Sequence, residues 1–263
     1  MGGATSRFGE TDWNAVDGGL RDPSQTLDGA PPTKYHTIIT LRKPNVVTQR
    51  EFEIRSHDHL DEILYKSVAV QGTTKAFDLV QGGQDSKSLF RIHTNASRSQ
   101  WDIYAFTQVF EGQAVDDEAT MISPENKEPL YRKAKIVITW NKYHGDVYMV
   151  QSSQTPQPPQ QGTESEGWGN DMDPRGVFDK ESTLRCEEIQ SFTSQYQAYH
   201  PRTNPILDSA APPQLQSWWV WEHTQNLHQM KMHLAKGCDV ALHVIIAITT
   251  NMVNVEKHAD QAM

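Results

Sequence analysis

Short stretches of alternating apolar and polar residues recur along the chain, and this period of two predicts a protein built mainly from β-strands. Residues 51–55 place Phe52 and Ile54 on one face, and residues 133–140 place four apolar side chains on one face. The same pattern predicts further strands at residues 35–42, 76–80, 88–94, 100–110 and 147–150.

One segment has helical spacing instead. Leu60, Ile63, Leu64 and Val68 stand at i, i+3, i+4 and i+8, and Asp58 precedes them as a candidate N-cap. The sequence therefore predicts a helix over residues 60–68.

The C-terminal region alternates twice, at residues 230–234 and again at residues 240–248, with a short turn sequence at residues 236–239. This arrangement predicts a β-hairpin whose second strand is buried.

Two regions lack a regular pattern. Residues 1–33 are rich in Gly, Asp and Pro, which predicts a loosely held segment, and residues 152–182 are rich in Pro and Gln, which predicts a long flexible loop. The length suits one domain over residues 1–263 that ends in a short tail.

Composition narrows the classes of function. The formal net charge of −9 argues against a nucleic-acid binder, since phosphate contacts require a surplus of Lys and Arg. The two cysteines are too few for a disulfide framework and fit a reducing cytosol. The longest purely apolar run, residues 244–248, is far shorter than a spanning helix, so the chain is expected to be cytoplasmic when inactive.

Catalytic motifs are missing from the sequence: it has no Gly-rich phosphate loop, no G-x-S-x-G elbow, no H-E-x-x-H pair and no C-x-x-C. We therefore expect no enzyme activity, no catalytic residues, no metal and no cofactor. The histidines that could act as metal ligands are His57, His59, His223, His228 and His233. Trp218, Trp219 and Trp221 form a dense cluster that fits either core packing or a binding surface.

The N-terminus begins Met-Gly-Gly-Ala-Thr-Ser, which fits the pattern for N-myristoylation and makes Gly2 a lipidation candidate. The alternative is an unmodified start. One myristoyl chain gives only marginal membrane affinity, on the order of 10⁴ M⁻¹.

Three stretches carry a family resemblance. The hairpin over residues 232–248, the strand opening at residues 33–35 and Val-Asp-Gly-Gly at residues 16–19 resemble, in order and spacing, parts of the gasdermin pore-forming domain. The resemblance implies an α+β fold in which a twisted mixed or antiparallel β-sheet is flanked by helices.

The resemblance also implies a function. Gasdermins form membrane pores by oligomerisation and β-hairpin insertion and so cause lytic cell death; in size the chain is closest to the short fungal gasdermin-like cell-death proteins of non-self recognition. The expected partners are an acidic phospholipid membrane and further copies of this chain or of a related gasdermin-like protein. The assembled form is expected at the plasma membrane. Animal gasdermins are held inactive by an inhibitory C-terminal domain; the resemblance to the short fungal proteins instead implies that this chain is controlled by a partner or by a trimmed tail.

Two sets of site residues follow from this hypothesis. The candidates for contact with anionic lipid head groups are Arg7, Lys34, Arg42, Lys43, Arg132, Lys133 and Lys135. The candidates for membrane insertion are Phe90, Ile92, Trp101, Ile103, Ile136, Ile138, Trp140 and Tyr148. The sequence leaves two alternatives open: a soluble β-rich module that binds a ligand or lipid, and a capsid or scaffold protein.

Overall fold

Antiparallel strands make up most of the protein in the computed structural model. The described residues are 12–13, 15–21, 25–43, 51–59, 61–83, 87–116, 128–139, 144–150, 178–190, 195–200, 215–224 and 227–261. The strands are β1 (Thr37–Arg42), β2 (Phe52–Ser56), β3 (Ile63–Ala69), β4 (Ala76–Gln81), β5 (Ser88–Thr94), β6 (Gln100–Ala105), β7 (Tyr131–Thr139), β8 (His144–Met149), β9 (Leu184–Gln190), β10 (Gln195–Tyr199), β11 (Leu215–Thr224) and β12 (Leu227–Leu234). One helix, α1 (Val240–Gln261), follows in the described part of the chain.

The twelve strands close into a barrel in which each strand pairs with its neighbours in sequence. The seam is formed by β1 and β12, which pair from Thr37 opposite Leu234 to Arg42 opposite Gln229. Closure leaves every one of the described strands paired on both sides. The expectation of an α+β fold with a mixed sheet flanked by helices is therefore wrong.

Side chains alternate between the inside and the outside of the barrel. On β1, Ile39 and Leu41 are fully buried, whereas Arg42 is exposed. On β7, Ala134, Ile136 and Ile138 face the same core. The alternation seen in the sequence is thus the inward and outward alternation of barrel strands.

Helix α1 occupies the interior of the barrel over residues 240–253, the part whose side chains the structure describes. From Ala241 to Ile248 every side chain is buried, and the helix belongs to one hydrophobic core with inward-facing strand residues such as Trp219 and Met232. A helix buried on all sides must lie inside the barrel rather than on its surface. Eight strands enclose little more than their own side chains, and twelve leave room for a helix about 10 Å wide.

The prediction of a strand at residues 240–248 is wrong, because this segment is the first half of α1. The residues between the alternating positions are also mostly apolar, so the segment has no polar face from which a period can be recognised. Asp239 supplies the N-cap: its Oδ1 accepts a hydrogen bond from the backbone N–H of Leu242 at 2.9 Å.

The prediction of a helix at residues 60–68 is also wrong. Strand β3 covers Ile63–Ala69, with Tyr65 and Ser67 turned inward and Val68 exposed. Pairing with β2 and β4 on both sides outweighs the local helical spacing.

The other predicted strands are confirmed with differences in their bounds. Strand β6 ends at Ala105 rather than near residue 110, β8 covers His144–Met149 rather than residues 147–150, and residue 140 of the predicted strand 133–140 lies outside the described residues.

Part of the N-terminal segment is held in place rather than loose. Asp17 forms a β-bridge with Lys236, and the backbone N–H of Leu20 donates to the Gly237 carbonyl at 3.0 Å. A side chain at position 18 would collide with Cys238, since a Cβ added to Gly18 would lie 2.6 Å from its sulfur. The segment therefore crosses the connection that leads from β12 into α1.

Candidate functional site

The two ends of the barrel carry different connections. The end at which β12 stops and α1 begins, here called the entry end, also receives the connections 106–130, 150–183 and 200–214. Each connection at the opposite end is shorter than these three, and that between β11 and β12 spans only residues 225–226. Binding groups concentrate on connections held by a rigid scaffold and in the mouths of barrels. The entry end is therefore the candidate functional face.

A cavity of about 490 Å³ opens at the entry end, between the N-terminal segment and the ends of β3, β4 and β5. The described residues that line it are Asp28, Gly29, Ala30, Pro31, Glu62, Ile63, Leu64, Tyr65, Gln81, Gly82 and Leu89. Its volume falls in the range of about 300–1,000 Å³ that is usual for small-ligand sites. It is large enough for one long amino-acid side chain.

Two carboxylates give the cavity its charge. Asp28 accepts a hydrogen bond from the Tyr65 hydroxyl at 2.7 Å and another from the backbone N–H of Ala30 at 3.0 Å. Glu62 is exposed at the rim, and no lysine or arginine is among the described residues of the lining. The cavity therefore combines negative charge with apolar walls such as that formed by Leu64.

The backbone of two strands fixes the shape of the cavity. Gly82 donates its N–H to the Leu64 carbonyl at 2.9 Å, and a Cβ at position 82 would lie 1.7 Å from the carbonyl oxygen of Ile63. Burial, reinforced by the charge of Asp28, raises the pKa of Tyr65 well above its ordinary value. The Tyr65 phenol therefore keeps its proton and remains a donor to Asp28.

A second, buried carboxylate lies at the start of α1. Asp239 accepts hydrogen bonds from the backbone N–H groups of Leu242 and Leu27. Burial raises the pKa of Asp239 to about 6, against the effect of these two bonds. Burial lowers the pKa of Lys133, while the charges of Asp239 and Asp28 oppose that shift. The Lys133 ammonium is thus a counter-ion for the carboxylates of Asp239 and Asp28 at the entry end.

The structure does not bring the predicted lipid-binding residues together. Lys34, Arg42 and Lys43 belong to β1 and its flanks, whereas Arg132, Lys133 and Lys135 belong to β7. Strand β7 is the sixth from β1 in either direction around the barrel, so the two groups lie on opposite sides. Arg7 lies outside the described residues.

Several of these basic side chains already have partners. Arg132 forms an ion pair with Asp116 at 2.6 Å. The Lys135 ammonium lies 4.2 Å from the centre of the Phe178 ring, and the Lys43 ammonium lies 5.5 Å from the centre of the Phe52 ring. Both are cation–π contacts.

Most of the residues proposed for membrane insertion form the inner layer of the core. Those buried in the core are Phe90, Ile92, Trp101, Ile103, Ile136 and Ile138. Tyr148 is half-buried on β8 and lies under the Lys135 ammonium, 5.3 Å from ring centre to nitrogen. Trp140 and the lipidation candidate Gly2 lie outside the described residues.

The tryptophan cluster divides between the two faces of β11. Trp219 and Trp221 are buried in the core, which settles these two in favour of core packing, and Trp218 packs beside His233 with ring centres 5.3 Å apart. His57 and His59 are exposed. The described residues contain no group of three or more His, Cys, Asp or Glu placed to hold a metal ion, and the side chains of His223 and His228 are not among those described.

The main residues of the cavity were missed by the sequence reasoning, as was the buried Asp239 at the start of α1. Asp239 had a usable signal, because it stands just before an apolar run as an N-cap does. Asp28, Glu62 and Tyr65 had none, since their proximity arises only when the barrel closes.

No protein-family model and no curated protein matches the chain. Among the described residues, no helix is both long and apolar enough to cross a membrane. The functional argument therefore depends on the geometry of the entry end.

Proposed function

We propose that this protein is a binding module that holds a cationic group in the cavity at its entry end. The ligand class is a basic peptide side chain, with its amine or guanidinium at the carboxylates and its methylene stem against the apolar wall. The observation that carries this proposal is the lining, which pairs Asp28 and Glu62 with apolar residues and, as described, includes no lysine or arginine.

The arrangement of Asp28 favours a cation. Two donors, the Tyr65 hydroxyl and the Ala30 amide, hold the carboxylate in one orientation, and each of its oxygens keeps a lone pair for a further donor. Hydrogen bonds between ionised partners are roughly twice as strong as neutral ones. Preorganised acceptors of this kind reduce the cost of ordering on binding.

The internal ammonium does not cancel the negative charge. Lys133 lies near Asp28 and Asp239, but Glu62 adds a third carboxylate at the rim. The pKa of Asp239 is about 6, so at pH 7 most of this carboxyl is ionised. A net attraction for cations remains.

The membrane-pore hypothesis stays a prediction, and the geometry supports it less than it supports binding. Strands proposed to insert, such as β7, turn their apolar side chains to the interior, whereas a strand in lipid needs them outside. Insertion would have to open the seam between β1 and β12 and remove α1 from the core.

The test is calorimetric titration with the acetylated, amidated peptide Leu-Arg-Leu-Lys and with the same peptide carrying Gln at both basic positions. We expect the basic peptide to bind and the Gln peptide to bind much more weakly. The substitution Glu62→Gln should weaken binding by about fivefold, because one exposed charge pair contributes up to about 1 kcal/mol. Asp28→Asn should weaken it further, since its carboxylate is less exposed.

Asp61→Asn is the matched control, because Asp61 is an exposed carboxylate next to Glu62 that does not line the cavity. It should leave binding unchanged. Equal binding of the two peptides, or equal losses in the Asp61 and Glu62 variants, would contradict the proposal.

A further inference from the structure

Two histidines lie edge to edge beneath a tryptophan on the outer surface of the barrel. His36 Nε2 and His233 Nδ1 are 3.1 Å apart, their ring centres are 5.3 Å apart and their planes differ by 18°. The Trp13 ring is centred 5.2 Å from that of His36 and 5.5 Å from that of His233. Trp13 therefore covers both imidazoles at once and is itself buried.

Trp13 lies at the start of a segment here called the N-terminal strap, which is defined as the described residues 12–13 and 15–21. The strap is tied to the connection before α1 through Asp17 and Leu20, and its Gly18 carbonyl accepts a hydrogen bond from the Gln216 side chain at 3.0 Å. Trp13 on the histidine pair is its anchor at the other end.

The contact between the two rings depends on protonation. An N–H···N hydrogen bond needs one nitrogen with a proton and one with a free lone pair. A single added proton preserves it, because an imidazolium can donate to a neutral partner and can stack on Trp13. When both rings are charged, two N–H donors and two positive charges face each other at this distance, and the pair must separate.

We propose that the His36–His233 pair is a pH-sensitive anchor that holds the N-terminal strap on the barrel at neutral pH and releases it in mildly acidic conditions. Release uncovers the connection that leads into α1. This inference is independent of the proposed cation site.

The charged groups around the pair support this direction. Burial lowers the pKa of His36, and Asp58 opposes the shift. Burial, together with His36, Lys231 and His57, lowers the pKa of His233 to about 4. The bound strap thus prefers neutral imidazoles, whose ordinary pKa is about 6.5. The stabilisation of the strap is complete above that pH and is lost as the pH falls towards 4.

The test is hydrogen exchange of the strap amides, with rates corrected for the intrinsic pH dependence of exchange. For the second protonation, at His233 beside a charged His36, pKa values of about 6.5 in the released strap and about 4 in the bound strap predict that protection of Gly18 and Leu20 falls by at most about twentyfold between pH 7 and pH 5. The amides of α1 should stay protected over this range. The double variant His36→Gln, His233→Gln should lose the pH response.

His93→Gln is the matched control, because burial also lowers the pKa of His93, which lies on β5 away from the strap. This variant should behave as the wild type does. Constant strap protection from pH 7 to pH 5 in the wild type, or an undiminished response in the double variant, would overturn the proposal. If the double variant loses protection already at pH 7, the pair is still the anchor and the wild-type series alone decides the pH response.

Discussion

Acid should weaken the barrel through one histidine on the interior helix. His243 is fully buried; its Nδ1 lies 2.8 Å from the Ser217 hydroxyl and its Nε2 lies 3.3 Å from the Gln216 side-chain oxygen. Burial, with a smaller contribution from His200, lowers the pKa of His243 to about 3. The neutral imidazole can be buried in the core, whereas burial of the charged imidazolium costs free energy.

The sign and size of the effect follow from linkage. The unfolded pKa is about 6.5 and the folded pKa is lower, so the stabilisation is complete above pH 6.5 and declines as the pH falls towards 3. At roughly 1.4 kcal/mol per pH unit, a fall of about two units from pH 6.5 removes about 2.7 kcal/mol. Asp239 acts in the opposite direction: its pKa is raised to about 6, so its protonation stabilises the fold as the pH falls from there towards about 4.

A comparison between variants isolates His243 from Asp239. We would measure urea unfolding of the wild type and of His243→Gln at pH 7, 5.5 and 4.5. The variant should be less stable at pH 7, because it disturbs a buried hydrogen-bonded network. The difference in unfolding free energy should then shrink by about 2.7 kcal/mol by pH 4.5. A difference that stays constant with pH would refute the reasoning.

The exposed histidine His59 provides the control for that experiment. His59→Gln should follow the wild-type profile at every pH. A change as large as that of His243→Gln would mean that the effect comes from the unfolded chain.

Three further predictions concern the core, the cavity and the outer surface. Ile246→Ala should lower the free energy of unfolding, measured by urea denaturation, by about 2–5 kcal/mol, because it leaves a cavity beside the helix. Gly82→Ala should weaken binding of the basic peptide in titrations, since its Cβ would meet the Ile63 carbonyl at 1.7 Å. Asp78→Asn should cost about 1–3 kcal/mol in thermal unfolding, because the buried Arg91 guanidinium loses a two-point contact at 2.8 and 2.9 Å.

Each of these predictions has a clear contrary result. An Ile246→Ala variant as stable as the wild type would place the helix outside the core. Unchanged peptide binding in Gly82→Ala would separate the cavity from the ligand site. An Asp78→Asn variant of wild-type stability would mean that water replaces the lost carboxylate contact to Arg91.

The strands could be predicted from the sequence because a barrel wall has one apolar and one polar face. At residues 51–55 and 133–140 the alternation is clean, and β2 and β7 lie there. The closure of these strands into a ring was not accessible, because nothing local specifies that β1 pairs with β12 across the length of the chain.

The interior helix shows where periodicity stops being informative. Residues 244–248 are all apolar, so a strand and a fully buried helix give the same pattern, and the β-branched residues favour the wrong choice. The N-cap at Asp239 and the length of the apolar segment were the distinguishing signals. The family resemblance assigned to residues 232–248 rested on the same mistaken strand.

The candidate site could not be predicted from sequence for a different reason. Asp28, Glu62 and Gln81 come from three separate parts of the chain and carry no motif. Their common location follows from the barrel order, which places the N-terminal segment beside β3 and β4. The basic residues predicted to contact lipid head groups belong to opposite walls for the same reason.

Chemical-shift mapping of the isotopically labelled protein with the peptide Leu-Arg-Leu-Lys tests the central claim most directly. The account predicts saturable shifts confined to amides around the cavity, at residues 28–30, 62–65, 81–82 and 89. The interior of α1 and the opposite end of the barrel should not respond. Shifts centred elsewhere on the barrel, or no shifts at millimolar peptide, would contradict the account.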